Sequence, residues 1–368
     1  MALRANILGY ANDEVNQAAI EAINLGNNLT RPSLYELEAA EKFVEIIDSA
    51  EMVKFAKNGS NATSAATKLA RAYTGRKLIA RCIDHPFFSF DDWFIGSTVL
   101  TKGIPEEISN LTVTFKYNDI EDLQRLFDQY PNQIACVIME PATLSHPKPG
   151  YLNQVKELCH KNGAVFILDE MVTGFRWHLK GAQHYYDVEP DLSTFGKAMA
   201  NTFSLAAVAG KKDIMKLGSI EYEGEERVFL LSTTHGGEMA PLAAFLKTVE
   251  IMQRENVVNY IWEYGKKVIN LFNEIADEFG IKSYLYADGV ECSPYFVTKD
   301  NKGNVSFEYR TLFVQEMVEN KVFMPWLAFC YAHGEKELEI TANALRNSMK
   351  IYQKALEDGV EKYLKSDV

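Results

Sequence analysis

The chain has 368 residues, 47% hydrophobic and 24% charged, which suits one large or two moderate globular domains. Its formal net charge of -12 speaks against a nucleic-acid partner, because phosphate contacts need clustered Lys and Arg. The 5 cysteines form no Cys-x-x-Cys pair, and the sequence has neither an apolar leader core nor a membrane-length apolar run; neither a disulfide framework, a metal nor a membrane is expected, and the expected location is cytoplasmic.

In chain order, Ser33-Leu34-Tyr35-Glu36 reads as a capping box, followed by Leu37, Ala40, Val44 and Ile47 at helical spacing. Asn58-Gly59-Ser60-Asn61 reads as a turn, and Ala62 to Tyr73 as a helix ended by Gly75. Leu78-Ile79-Ala80 is a short strand. Ile134 to Met139 is a continuous apolar run closing on Glu140-Pro141, and Val165 to Leu168 is another, closing on Asp169-Glu170. Between them, Leu152 to Asn162 reads as a helix with Gly163 at its end. A strand, helix, strand order with apolar strands predicts a parallel sheet covered on both faces, an α/β fold. Beyond about Val257 the texture changes: an amphipathic helix over Tyr260 to Phe279, a turn at Asp300 to Gly303, and closing helices over Glu335 to Leu364. The expected division is an N-terminal segment over 1–50, a large domain over 51–256 and a small C-terminal domain over 257–368.

Four features fall where an α/β sheet presents ligands, at strand ends and helix starts. Gly59-Ser60-Asn61-Ala62 suits an anion at a helix N-terminus, although a plain cap would use the same residues. Asp169 follows a buried strand; such a carboxylate caps the next segment or faces a pyridine nitrogen. Lys197 in Phe195-Gly196-Lys197-Ala198 lies in apolar company, as an amine nucleophile or as a lysine reaching out from a helix start. Ser232-Thr233-Thr234-His235-Gly236-Gly237 offers hydroxyls and glycines before a helix, suiting a phosphate or simply a polar loop.

Taken together, these stretches resemble the class III pyridoxal-phosphate-dependent aminotransferases, and within them the glutamate-1-semialdehyde 2,1-aminomutase-like branch. The carrying residues run from Gly59 to Arg76, then Met139-Glu140-Pro141, Leu168 to Arg176 (Leu-Asp-Glu-Met-Val-Thr-Gly-Phe-Arg), and Pro190 to Lys197. The resemblance extends from about Leu8 to the C-terminus. It implies fold type I of the pyridoxal-phosphate (PLP) enzymes: a large domain with a mainly parallel seven-stranded sheet and a smaller C-terminal α+β domain. Lys197 would hold the cofactor as a Schiff base and carry a proton, and Asp169 would pair with the pyridine nitrogen. Gly59, Ser60, Asn61 and Ala62 would take the phosphate, and Glu140 would shape the ring's surroundings. Thr234 would reach the cofactor of a partner subunit, since such sites are built across a homodimer interface.

The chain departs from the family in four places. Asn61 stands where an acidic residue is usual. Phe87-Phe88-Ser89 replaces an aromatic–His–Gly motif, leaving Phe87 to stack on the ring. Thr202 stands where relatives carry Gly. Leu8-Gly9-Tyr10-Ala11 enters midway through a region that relatives begin several dozen residues earlier, so the N-terminal region is expected to be short, as a fragment, an alternative start or a native form. The expected function is amino-group transfer from a small-molecule donor to a carbonyl acceptor, with a keto-sugar or sugar nucleotide as one acceptor class. The alternatives are the aminomutase reaction itself and a PLP-binding protein without turnover.

Overall fold

The computed structural model describes residues 2–365. The chain divides into two compact units, one over Tyr10–Glu255 and one comprising Asn256 onward together with the residues before Tyr10.

The larger unit is built on a seven-stranded sheet. Its strands are β1 (Met52–Ala56), β2 (Leu78–Cys82), β3 (Thr112–Phe115), β4 (Ile134–Met139), β5 (Val165–Asp169), β6 (Leu192–Phe195) and β7 (Ala206–Gly210), in the order β1-β7-β6-β5-β4-β2-β3. β7 runs antiparallel to both of its neighbours, and the remaining pairings are parallel. The helices are α1 (Asp13–Asn24), α2 (Leu34–Ile46), α3 (Gly59–Thr74), α4 (Ile120–Gln129), α5 (Tyr151–Lys161) and α6 (Met239–Arg254).

The unbroken apolar runs of β4 and β5 follow from burial on both faces. Val137, Met139, Phe166 and Leu168 point to the side covered by α4 and α5, through Leu123, Phe127, Leu152 and Val155. Cys136, Ile138, Val165 and Ile167 point to the other side, against Ala66, Leu69 and Ala70 of α3. Side chains alternate across a strand, so a strand with two covered faces has no polar position to offer. α2 adds Phe43 to a cluster of rings with Phe55, Phe175, Phe195 and Phe245, at centroid separations of 5.2 to 6.4 Å. This aromatic block lies directly behind the ends of β1 and β6.

Helix starts follow their caps. Ser33 accepts from Glu36 N–H at 3.1 Å and starts α2. The reciprocal half of the expected capping box is absent: the Glu36 carboxylate pairs with the Lys54 amine at 3.1 Å instead. Asn58 caps α3 by accepting from Asn61 N–H, and Gly75 ends it at φ 67°, in the left-handed region that favours glycine. α3 begins three residues before the expected Ala62, because the cap is Asn58 and not a residue of the turn.

In the smaller unit, α7 (Val257–Glu278), α8 (Phe307–Glu319) and α9 (Glu335–Asp358) pack with the antiparallel pair β8 (Leu285–Asp288) and β9 (Tyr295–Thr298). Phe272, Phe296 and Phe313 form its aromatic centre. The carbonyls of Ile7 and Leu8 accept from the N–H groups of Tyr331 and Ala332, which ties the first residues to this unit.

Candidate active site

The ends of β5 and β6 and the start of α3 bring three of the expected features together, Asp169, Lys197 and the turn at Gly59. Asp169 is the last residue of β5 and is 2% exposed. Its Oδ1 accepts from the Met171 N–H and from the Thr194 hydroxyl, each at 3.0 Å. None of the described residues donates to Oδ2. Burial pushes the Asp169 carboxyl up from 3.8 to about 6, opposed by the nearby Lys197 amine and by the two hydrogen bonds. The carboxyl is thus fixed in orientation with one oxygen left for a cationic donor.

Lys197 follows the end of β6 by two residues and has φ 45°. Left-handed backbone is uncommon for a lysine and marks a position that its surroundings force. The same loop holds Asn201 at φ 42° and Thr202 at φ 81°. The second angle is one that glycine adopts without cost. It also makes Thr202 strained, since a β-branched residue fits this region worst.

The first turn of α3 presents unspent donors. The N–H groups of Gly59 and Ser60 have no acceptor among the described residues, as expected of a helix start. Ser60 is buried, and its Oγ accepts from the Phe90 N–H at 3.0 Å, which leaves the hydroxyl hydrogen to be donated. Asn61 is half-buried and gives its N–H to the cap; Ala62 is fully buried against Ala56, Met171 and Ala206. The loop after β2 is fastened to this turn by the Thr63 hydroxyl, which donates to the Phe88 carbonyl at 2.9 Å. Phe87 in this loop is 53% exposed, with its ring 5.5 Å from Phe94.

Glu140 is buried at the end of β4, and its N–H donates to His85 Nδ1 at 3.0 Å. Thr234 lies exposed in the loop before α6; its carbonyl accepts from the Asn28 amide at 3.3 Å. Beside it, His235 pairs with Glu238 at 3.1 Å, and Glu238 also accepts from Lys57.

Three residues join the site that sequence reading passed over. Thr194 on β6 turns its hydroxyl to Asp169, but it stands beside a second hydroxyl, Ser193, and nothing in the sequence singles it out. Met171 lies beside both Gly59 and Gly196, with no sequence signal. His85, buried two residues before Phe87, is fixed as the Nε2–H tautomer by the bond it accepts, and burial lowers its pKa to about 3, so it stays neutral. Glu170 is fully buried and accepts from Ala182 N–H at 2.9 Å and Gln183 N–H at 2.7 Å, as well as from the Thr173 hydroxyl. It fixes the segment after β5.

Residues 2–284 match the family model described as aminotransferase class-III. The chain is 32% identical over 360 residues to the 3-aminobutyryl-CoA aminotransferase of Cloacimonas acidaminovorans, covering 95% of this chain and 83% of that protein. It is 33% identical over 368 residues to the glutamate-1-semialdehyde 2,1-aminomutase of Sulfurihydrogenibium azorense, covering 94% and 85% respectively. Among solved structures, an omega-transaminase from Sphaerobacter thermophilus shares the fold with TM-score 0.85 at 22% identity, covering 95% of this chain and 85% of that one. A transaminase with PLP bound gives TM-score 0.88 at 22% identity, covering 96% and 86%.

Proposed function

Because the chain belongs to the aminotransferase class-III family, whose members use pyridoxal 5'-phosphate to move amino groups, we propose that Lys197 is the amine that holds this cofactor and Asp169 the carboxylate that meets its ring nitrogen. The carrying observation is the open oxygen of a carboxyl whose other oxygen is doubly hydrogen-bonded, with a lysine amine close enough to oppose its protonation.

The residues fit the cofactor at each of its polar groups. The N–H groups of Gly59 and Ser60 and the Ser60 hydroxyl are unspent donors suited to a phosphate. Asp169 Oδ2 is an unspent acceptor suited to a protonated ring nitrogen. When bound, the cofactor supplies an aldehyde carbon and an electron-withdrawing ring. Asp169 keeps that ring's nitrogen protonated. Lys197 would hold the cofactor's aldehyde carbon and would carry the proton at the substrate carbon. Glu140 and His85, bonded to each other through the backbone, hold the wall at the end of β4. Phe87 would flank the ring. Thr234, exposed and unneeded by its own chain's sheet, would serve the cofactor of a second copy in a homodimer.

The substrates are a small-molecule amino donor and a carbonyl acceptor, with a keto-sugar or sugar nucleotide among the acceptors to try. The aminomutase reaction is a second reading, favoured by the 33% identity to the Sulfurihydrogenibium azorense enzyme. The experiment is an absorption spectrum of PLP-loaded protein against a panel of amino donors. A cofactor band that shifts with a donor supports turnover. A band that no donor moves overturns it in favour of binding alone. Product formed from glutamate-1-semialdehyde without any external donor would select the aminomutase.

A further inference from the structure

Three parts of the site converge on one thioether. The Met171 N–H donates to Asp169 Oδ1 at 3.0 Å. A Cβ built on Gly59, the first residue of α3, would lie 3.0 Å from Met171 Sδ. A Cβ built on Gly196, next to Lys197, would lie 2.7 Å from the same sulfur. The sulfur therefore lies against the backbone of both turns. It shares an apolar cluster with the small side chains Ala56, Ala62 and Ala206. Met171 keeps 8% exposure, whereas Met139 and Met199 have none.

We propose that Met171 is a site of sulfoxidation that controls cofactor loading, an inference that rests on the cofactor site assigned above. Hydrogen peroxide transfers one oxygen to Sδ: the O–O bond breaks, an S–O bond forms, the sulfur gives up two electrons, and the second oxygen leaves as water with both protons. The added oxygen has no room towards Gly59 or Gly196, where the sulfur is already at backbone contact. It enters the side that remains open, or it forces the first turn of α3 away from the Lys197 turn. Either result changes the space between Asp169, Lys197 and the unspent N–H groups of Gly59 and Ser60. Reduction by a thiol-driven sulfoxide reductase restores the thioether.

The test treats wild-type protein, stripped of PLP and loaded with PLP, with hydrogen peroxide, beside Met171→Leu. Mass spectrometry follows the Met171 peptide, and titration follows PLP affinity. The stripped protein should take one oxygen at Met171 and the loaded protein should be protected. PLP affinity of the oxidised protein should fall roughly tenfold or more, about 1.4 kcal/mol. A methionine sulfoxide reductase with dithiothreitol should restore both. Whatever its own affinity, Met171→Leu should change by less than about twofold on treatment. An oxidised Met171 peptide with unchanged affinity overturns the proposal, as does an equal loss in Met171→Leu, or a Met171 peptide that resists while the half-buried Met52 oxidises. If Met171→Leu does not bind PLP, Met171→Ile replaces it, and the wild-type peptide and affinity decide without either. Untreated wild-type protein that fails to bind PLP would instead sink the cofactor assignment itself.

Discussion

Replacing Asp169 by Asn should remove a pH dependence from the stability of the cofactor-free protein. In the fold the carboxyl ionises near 6, against 3.8 ordinarily, because burial penalises its charge. The folded chain therefore holds a proton that the unfolded chain has released, and stability is lost as pH rises from the lower value through the higher one. The full difference is worth about 3 kcal/mol, of which about 1.4 kcal/mol falls between about pH 5 and 8. Asn keeps an oxygen to accept from Met171 and Thr194, so the fold around it should hold. Its amide leaves one donor without a partner, a penalty of about 1 to 3 kcal/mol that does not vary with pH. The useful quantity is thus the change with pH in the stability gap between wild type and variant. Urea unfolding of stripped protein at both pH values should show wild type losing about 1.4 kcal/mol more than Asp169→Asn. Parallel pH profiles for the two proteins would refute the buried-carboxyl argument. With PLP present the order should reverse, since the ionised form is the one that meets a protonated nitrogen, and affinity should rise with pH through about 6 in wild type.

Lys197→Ala should abolish turnover and borohydride trapping of PLP on the protein while leaving circular dichroism unchanged; retained turnover would refute the assignment. Ser60→Ala removes a hydroxyl suited to an anion, and PLP affinity by titration should fall about 10- to 150-fold, as for a hydrogen bond to a charged group. Thr202→Gly relieves a threonine at φ 81° and should raise the urea midpoint by the equivalent of about 1 kcal/mol. An unchanged or lower midpoint would show that the loop tolerates threonine without strain.

Of the sheet, β4 and β5 were legible because they are buried on both sides, and β2 as a short run, whereas β1, β3, β6 and β7 were not read. The run Ile134 to Met139 was read to the residue, and Val165 to Leu168 missed only Asp169. Helix starts were harder, since the cap of α3 is Asn58 rather than a residue of the turn that was read. The site divided in the same way. Asp169, Lys197 and the first turn of α3 announce themselves through local composition at strand ends. Thr194, His85 and Met171 do not, because each matters through a neighbour far along the chain: Thr194 through Asp169, His85 through Glu140, and Met171 through Gly59 and Gly196. Such long-range pairings leave no periodic trace in one sequence.

The single reversed strand has a mechanical consequence. Parallel neighbours need long crossovers, so a group at the tip of one is anchored from below and trails into a connection that leaves for a distant face. β6 instead returns directly as β7, and residues 196–205 form a short span clamped at both feet, with β7 also bonded to β1. Lys197 sits on that bridge. α6 packs directly on the turn that carries the amine, so its place depends on that helix as well as on both strands. Engineering for robustness should therefore spare α6 as well as Phe195 and Ala206, since changes there reach the chemistry directly.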